Sequence, residues 1–204
     1  MKNILWDFDG VILDSMEVRD FGFKEIFKEF GKDSVNQLIK YHRANGGLSR
    51  YVKIRYFFEN ILNKEITEEK VHDFAAKFSD IMRVELTHPK NLIQDAVNFI
   101  ENNYKTYNFH IVSGSDQEEL RFLCQELKLS SYFLSIHGSP TPKSILVQEL
   151  LNKHGYSKSL TCLIGDSIND FDAATSNGIT FYGYNNSDLK NKDHYINTFT
   201  NINL

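Results

Sequence analysis

The strongest constraint in this chain is a change of rhythm along it. One short apolar run, Asn3–Phe8, stands alone near the N-terminus, and the next β-type run comes only at Phe109–Val112. From about Glu17 to Leu86 there is no proline, and the apolar spacing is helical. Phe23, Ile26, Phe27 and Phe30 fall at i, i+3, i+4 and i+7, with Gly31 placed to close that helix. Ile54, Phe57, Phe58 and Ile61 repeat the pattern, as do Val71, Phe74, Ala75 and Phe78. The spacing predicts four helices, at 17–30, 34–44, 50–62 and 68–85. Beyond this block, β-type runs at Phe109–Val112, Tyr132–Ile136, Leu160–Ile164 and Ile179–Tyr182 alternate with helical candidates at 92–104, 116–128, 142–154 and 168–177. Such alternation implies a parallel sheet covered on both faces. The expectation is an α/β, Rossmann-like core made of residues 1–15 and 86–204. An all-helical segment, 16–85, is inserted after strand one. The polar, Asn-rich stretch from 185 to 204 adds either a short strand at Tyr195–Phe199 or a loose tail.

The composition is that of a globular chain. Its 204 residues allow one large domain or a core with a smaller insert. At 41% hydrophobic and 13% aromatic residues a sizeable core forms readily. A net charge of −4 is no footprint of a nucleic-acid binder. No apolar run approaches the roughly 18–20 residues that cross a bilayer, and the N-terminus lacks the pattern of a secretory signal. Cys124 and Cys162 both sit in apolar stretches and read as two buried thiols. The expected setting is cytoplasmic, with no membrane and no nucleic acid as partner, as a monomer or homodimer.

In an open parallel sheet, ligands bind beyond the carboxyl ends of the strands. Strand one there ends in Asp7-Phe8-Asp9-Gly10, strand two in Ser113-Gly114-Ser115, and the Leu160–Ile164 strand in Gly165-Asp166-Ser167 with Asp170 close behind. Asp, Ser and Gly are ordinary turn residues, but turn chemistry alone does not explain why all these ends are acidic or hydroxylic. Crowded carboxylates repel one another unless a cation neutralises them. Hard oxygen donors suit Mg²⁺. Asp7 and Asp166 are therefore expected as direct ligands and Asp170 as an outer ligand or orienting group. Ser115 to Glu118 reads as a capping box opening a helix at 116. The amides there, with the Ser113 hydroxyl and the flexible Gly114, are suited to cradle an anion. Lys143, placed in a first helical turn behind Thr141 and Pro142, is unfavourable to the helix dipole, which marks it for another use.

The run Asp7-Phe8-Asp9-Gly10-Val11-Ile12-Leu13-Asp14-Ser15 resembles the first motif of the haloacid dehalogenase superfamily, in its phosphatase branch. Val112-Ser113-Gly114-Ser115 is similar to the second motif, Lys143 to the third, and Ile164-Gly165-Asp166-Ser167-Ile168-Asn169-Asp170 to the fourth. The order and spacing run over almost the whole chain, and the helical insert corresponds to the family's cap. The resemblance implies a Mg²⁺-dependent phosphomonoester hydrolase acting on a small anionic phosphate ester, such as a sugar phosphate. Asp7 would be the nucleophile that forms an aspartyl-phosphate. Asp9 would be general acid and then general base, and would offer its backbone carbonyl to the metal. Ser113, Gly114 and Lys143 would hold phosphoryl oxygens, and Asp166 and Asp170 would serve the metal. The third-motif lysine often precedes a proline, whereas here Pro142 precedes Lys143; Lys153 and Lys158 are weaker candidates. Mutase relatives carry His where Arg19 stands, and dehalogenase and phosphonate-cleaving relatives lack the second aspartate. The alternatives are a phosphotransferase or sugar-phosphate mutase on the same chemistry, or a non-catalytic binding protein on this fold. A degenerate scaffold should have lost Asp7, Asp9, Asp166 or Lys143, and none is lost.

Within the helical insert, Gly46-Gly47-Leu48-Ser49-Arg50 breaks the helices and resembles the specificity loop of this cap type. Arg50 is the expected contact to a distal anionic group of the substrate. His42, Arg43, Lys53 and Arg55 surround it, either as a basic lid or as a solvated helix face. Ser15 and Met16 stand where the chain leaves the core and are hinge candidates. His72, His88, His110, His137 and His154 show no metal-ligand spacing.

Overall fold

The computed structural model describes residues 1–200, 202 and 204. Six strands form one parallel sheet: β1 (Asn3–Trp6), β2 (Asn108–Asp116), β3 (Ser135–Ser139), β4 (Thr161–Gly165), β5 (Thr180–Tyr184) and β6 (His194–Ile196). Their order is β3-β2-β1-β4-β5-β6, so β1 lies in the interior of the sheet. That position explains why Asn3–Trp6 reads as an unbroken apolar run after its first residue, since a central parallel strand is buried on both faces. Asn3 sets the register. It faces Asn108 and Thr161 across the two ladders, donates to the Thr161 hydroxyl at 3.0 Å and accepts from the Asn108 amide at 2.9 Å.

Successive side chains of a strand point to opposite faces. Leu5, Val112 and Leu163 pack under α7 (Lys143–His154) and α8 (Ile168–Asn177), against Leu146, Val147, Leu150, Ala173 and Ala174. Ile4, Trp6, Phe109 and Ile111 pack the other face against α5 (Gln94–Asn103) and α6 (Gln117–Glu126), through Phe99, Ile100, Leu120 and Leu123. This double cover is the Rossmann-like arrangement the alternating pattern predicts. Cys124 and Cys162 are both unpaired and buried, and burial pushes both thiols up to about 12.

Between β1 and α5 lie α1 (Met16–Ile26), α2 (Lys32–Ala44), α3 (Arg50–Tyr56) and α4 (Glu68–Glu85). They close around phenylalanines. Phe27 stacks on Phe57 with ring centres 4.2 Å apart, and Phe23 meets Phe78 at 4.5 Å. Phe30, Phe58 and Phe74 complete the cluster.

The departures from the expected elements are local. The helix expected over 17–30 ends at Ile26 and tightens into a 3₁₀ turn over Lys28–Phe30. The helix expected over 50–62 becomes a π turn at Phe57–Ile61, where the Leu62 amide reaches back to the Phe57 carbonyl at 3.0 Å. Phe57 and Phe58 are neighbours in sequence, yet both are buried there. The strand expected from Tyr132 begins at Ser135, because Ser130–Tyr132 forms a 3₁₀ turn. The final strand is His194–Ile196, and the chain beyond it is held by Phe199, whose ring lies 5.3 Å from those of both Trp6 and Phe99. Among the described residues no helix is long and apolar enough to cross a membrane.

Phe27 is fully buried and central to the helical segment. Phe27→Ala should cost about 3–5 kcal/mol, read as a lower urea midpoint at unchanged slope.

Candidate active site at the carboxyl edge of the sheet

The backbone amide of Asp7 donates to the Ile164 carbonyl at 2.9 Å, so the chain is still tied to β4 when it reaches the sheet edge. Asp7 is buried there. Lys143, first residue of α7, reaches it from the side with Nζ 2.8 Å from Asp7 Oδ1, and the same ammonium bonds Asp170. Asp170 in turn accepts from the backbone amide and the hydroxyl of Ser167, at 3.1 and 2.6 Å, which caps α8. Lys143 therefore stands between two carboxylates, each fixed to a different element.

Carboxylate oxygens of Asp7, Asp166 and Asp170 lie within 4.8 Å of one another. Burial and the Asp170 charge raise Asp7 to about 7, although Lys143 works the other way. Burial and Asp7 raise Asp166 well above the usual carboxylate range. Burial opposes the Lys143 charge, but Asp170 and Asp7 outweigh it and hold its pKa above the ordinary lysine value. One lysine thus does not neutralise the three acids. The donor set is all oxygen, crowded and short of positive charge, which fits a hard divalent cation. Gly10, at φ +77, lets the Asp166 carboxylate lie against the β1 loop; a Cβ there would fall 2.0 Å from Asp166 Oδ2.

Asp9 faces the other way, toward the inserted helices. Arg19 Nε donates to Asp9 Oδ1 at 2.7 Å, and the hydroxyls of Ser15 and Ser115 also donate to this carboxylate. Burial would raise the pKa of Asp9, but Arg19 and these hydrogen bonds hold it below the usual range. The capping box expected at Ser115–Glu118 does not form. β2 runs on to Asp116, whose Oδ1 accepts from the amides of Glu118 and Glu119, both at 3.1 Å. Ser115 is thereby left to serve Asp9. Pro142 directly precedes α7 with an extended ψ of 142°, so Lys143 opens the helix.

Asp7, Asp9, Ser113, Gly114 and Ser115 from the sheet meet Arg19, His42, Gly46, Gly47, Leu48, Arg50 and Lys53 around one small cavity of ≈20 Å³. A cleft of ≈450 Å³ adjoins it, bordered by Asp9, Gly10, Asp166, Ser15, Met16, Arg19 and His42. Lys143 lines a separate depression on the far side of Gly114. Arg50 is buried, with Nη2 2.7 Å from Glu119 Oε2, Nη1 bonded to Ser79 and its guanidinium 4.9 Å from the centre of the Phe78 ring. Arg19 Nη1 donates to the other oxygen of Glu119 at 3.1 Å.

Two residues of this arrangement escape sequence reasoning in different ways. Arg19 is visible only as the occupant of a position known from relatives. Glu119 looks like any acid in the first turn of a helix; only its place beside Leu120 and Leu123 on the buried face hints that it needs a cation.

Residues 4–184 match the family described as haloacid dehalogenase-like hydrolase. The chain is similar to phosphoglycolate phosphatase of Aliivibrio fischeri, 23% identical over 206 residues, covering 92% of this chain and 87% of that one. It is likewise similar to phosphoglycolate phosphatase of Aquifex aeolicus, 25% identical over 195 residues, covering 90% and 86%. Among solved structures, β-phosphoglucomutase from Clostridium difficile superposes with a TM-score of 0.79 at 15% identity, over 100% of this chain and 94% of that one.

A Cβ on Gly114 would lie 2.2 Å from the Gly47 carbonyl. Gly114→Ala should therefore push the Gly46–Leu48 loop off the sheet edge, costing the closed arrangement about 1–3 kcal/mol. Faster hydrogen exchange of the loop amides, with the strands unchanged, is the expected readout.

Proposed function

The chain belongs to the haloacid dehalogenase-like hydrolase family, and on that premise we propose that it is a Mg²⁺-dependent phosphomonoester hydrolase working through an aspartyl-phosphate on Asp7. The observation that carries this reading is the convergence of Asp7, Asp166, Asp170 and Lys143 on one sheet edge, where Asp7 lines a small cavity shared with Arg19, His42, Arg50 and Lys53 of the inserted helices. The substrate is a small phosphate ester, and the two named relatives are phosphatases of such a compound. The chain divides into a catalytic core, 1–15 and 86–204, and a helical cap, 16–85, which selects the substrate by closing over it.

Asp7 and Asp166, with Asp170 and the Asp9 backbone carbonyl, would hold Mg²⁺, which offsets the repulsion between the acids and an incoming phosphate. Lys143, the Ser113 hydroxyl and the backbone around Gly114 hold the phosphoryl oxygens. An Asp7 carboxylate oxygen attacks phosphorus; the new O–P bond forms as the bond to the leaving oxygen breaks. Asp9 gives that oxygen a proton, which it must carry into the step although Arg19 and the two hydroxyls here favour its carboxylate form. Water then attacks the same phosphorus, the Asp7–phosphorus bond breaks, and inorganic phosphate leaves. In this second step Asp9 takes the proton of water, as the carboxylate that Arg19 and two hydroxyls stabilise. Splitting one displacement into two in this way lowers each barrier.

The purified chain should release phosphate from p-nitrophenyl phosphate with Mg²⁺ and not after EDTA. Asp7→Asn should abolish release while leaving circular dichroism unchanged. Phosphate release that survives both treatments would overturn the assignment. Asp9→Asn should lower kcat by about 10²–10⁴, measured by steady-state kinetics.

A further inference from the structure

The ladder between β1 and β4 ends where the acids begin. Its last paired residues are Trp6 and Ile164, and the Asp7 amide still reaches across to the Ile164 carbonyl at 2.9 Å. Beyond that point the two chains run as separate loops. One carries Asp9 and Gly10, the other Asp166. Among the described residues no backbone hydrogen bond joins 8–10 to 166–167. Yet these loops bring together acids that repel one another.

Two side chains from the end of β5 reach both loops. Asn185 Nδ2 donates to the Gly10 carbonyl at 3.1 Å, and Asn186 Nδ2 donates to the Asp166 carbonyl at 2.8 Å. Asn185 sits in the left-handed region at φ 54, which asparagine tolerates better than most residues. Asn186 is held from behind. Its Oδ1 accepts from the Asp188 amide at 3.1 Å and so opens the 3₁₀ turn Ser187–Leu189, and Leu189 is buried among the side chains of α7 and α8. Both asparagines border the ≈450 Å³ cleft, together with Asp9, Gly10 and Asp166.

The two amides belong to adjacent residues, so a single peptide unit links the contact on one loop to the contact on the other. Neither asparagine carries a charge, so the link adds nothing to the electrostatic imbalance of the acids. We propose that Asn185 and Asn186 clasp the Asp7–Gly10 loop to the Asp166 loop, and that they are positioning residues that set the spacing of the cation's ligands before the ion arrives. The inference rests on the Mg²⁺-dependent hydrolase reading. Groups that hold a metal's ligands from behind typically change metal affinity or activity by about 10–100-fold when they are replaced.

Mn²⁺ takes the same carboxylate and carbonyl donors as Mg²⁺, and electron paramagnetic resonance reads the free ion directly. The test titrates the full chain with Mn²⁺. Asn186→Ser keeps a side-chain acceptor for the turn that follows but is too short to reach the Asp166 carbonyl. It should weaken Mn²⁺ binding by roughly 10–100-fold. Asn185→Gly suits the left-handed backbone and removes only the amide; it should weaken binding in the same direction. In each variant the Mg²⁺ concentration giving half-maximal phosphate release from p-nitrophenyl phosphate should rise by the same factor. A merely structural role would lower the melting temperature of the metal-free chain and leave Mn²⁺ affinity unchanged, and that result overturns the inference. Should Asn186→Ser fail to fold, Asn185→Gly decides: weaker Mn²⁺ binding supports the clasp, and wild-type affinity overturns it. A wild type that binds Mn²⁺ but releases no phosphate overturns the hydrolase reading, while the clasp is still judged by the titration. A wild type that binds no Mn²⁺ overturns the metal site and the clasp with it.

Discussion

The ammonium of Lys143, held between Asp7 and Asp170, is the contact on which the site depends. Three crowded acids at one sheet edge repel one another: Asp7 follows β1, Asp166 follows β4 and Asp170 lies in α8. Lys143 ties α7 to β1 and to α8 at the point of greatest repulsion. It still leaves negative charge uncompensated, as the raised pKa values of Asp7 and Asp166 record. That remaining imbalance is one that a divalent cation would offset. A site neutral by itself would have no such appetite.

Across the cavity the charges are arranged in the opposite sense. The inserted helices present Arg19, Arg50 and Lys53 to the cavity, and Glu119 and Asp9 reach from the core to pair with the two arginines. The pairs of Glu119 with Arg19 and Arg50 are buried on both sides, and the seam is supported by Tyr51, which donates to Asp116 at 2.8 Å. Buried pairs of this kind contribute more to a defined geometry than to net stability, because desolvation offsets much of their attraction. Here the geometry they define is the orientation of Arg19 on Asp9 and the close approach of Gly47 to Gly114.

Much of this was legible beforehand, for identifiable reasons. The alternation of apolar runs and amphipathic stretches locates the strands because a central parallel strand must be apolar on both faces, as Ile4, Leu5 and Trp6 are. The helices of the insert follow from the phenylalanine spacing. The acids at the strand ends identify the site because topology places all such ends on one edge. What escaped is of two kinds. The π turn at Phe57–Ile61 depends on where the Phe27 and Phe74 rings stand, which local spacing does not encode. The partners of Arg50 escaped because an arginine in a loop looks the same whether its counter-ion is a substrate or Glu119, 69 positions away by their numbers.

By itself, then, the sequence determines the layered α/β architecture, the place of the insert and the acids and lysine of the sheet edge. These depend on periodicity and strand order, which are properties of the linear chain. The tertiary structure decides which cap cations are committed and which are open. Arg19, Arg50 and Lys53 are all simply cations in the sequence, and only packing brings Glu119 to the first two and, among the described residues, no acid within ion-pair distance of the third. A charge is free or spent according to what lies within a few ångströms of it, and that distance exists only in the fold.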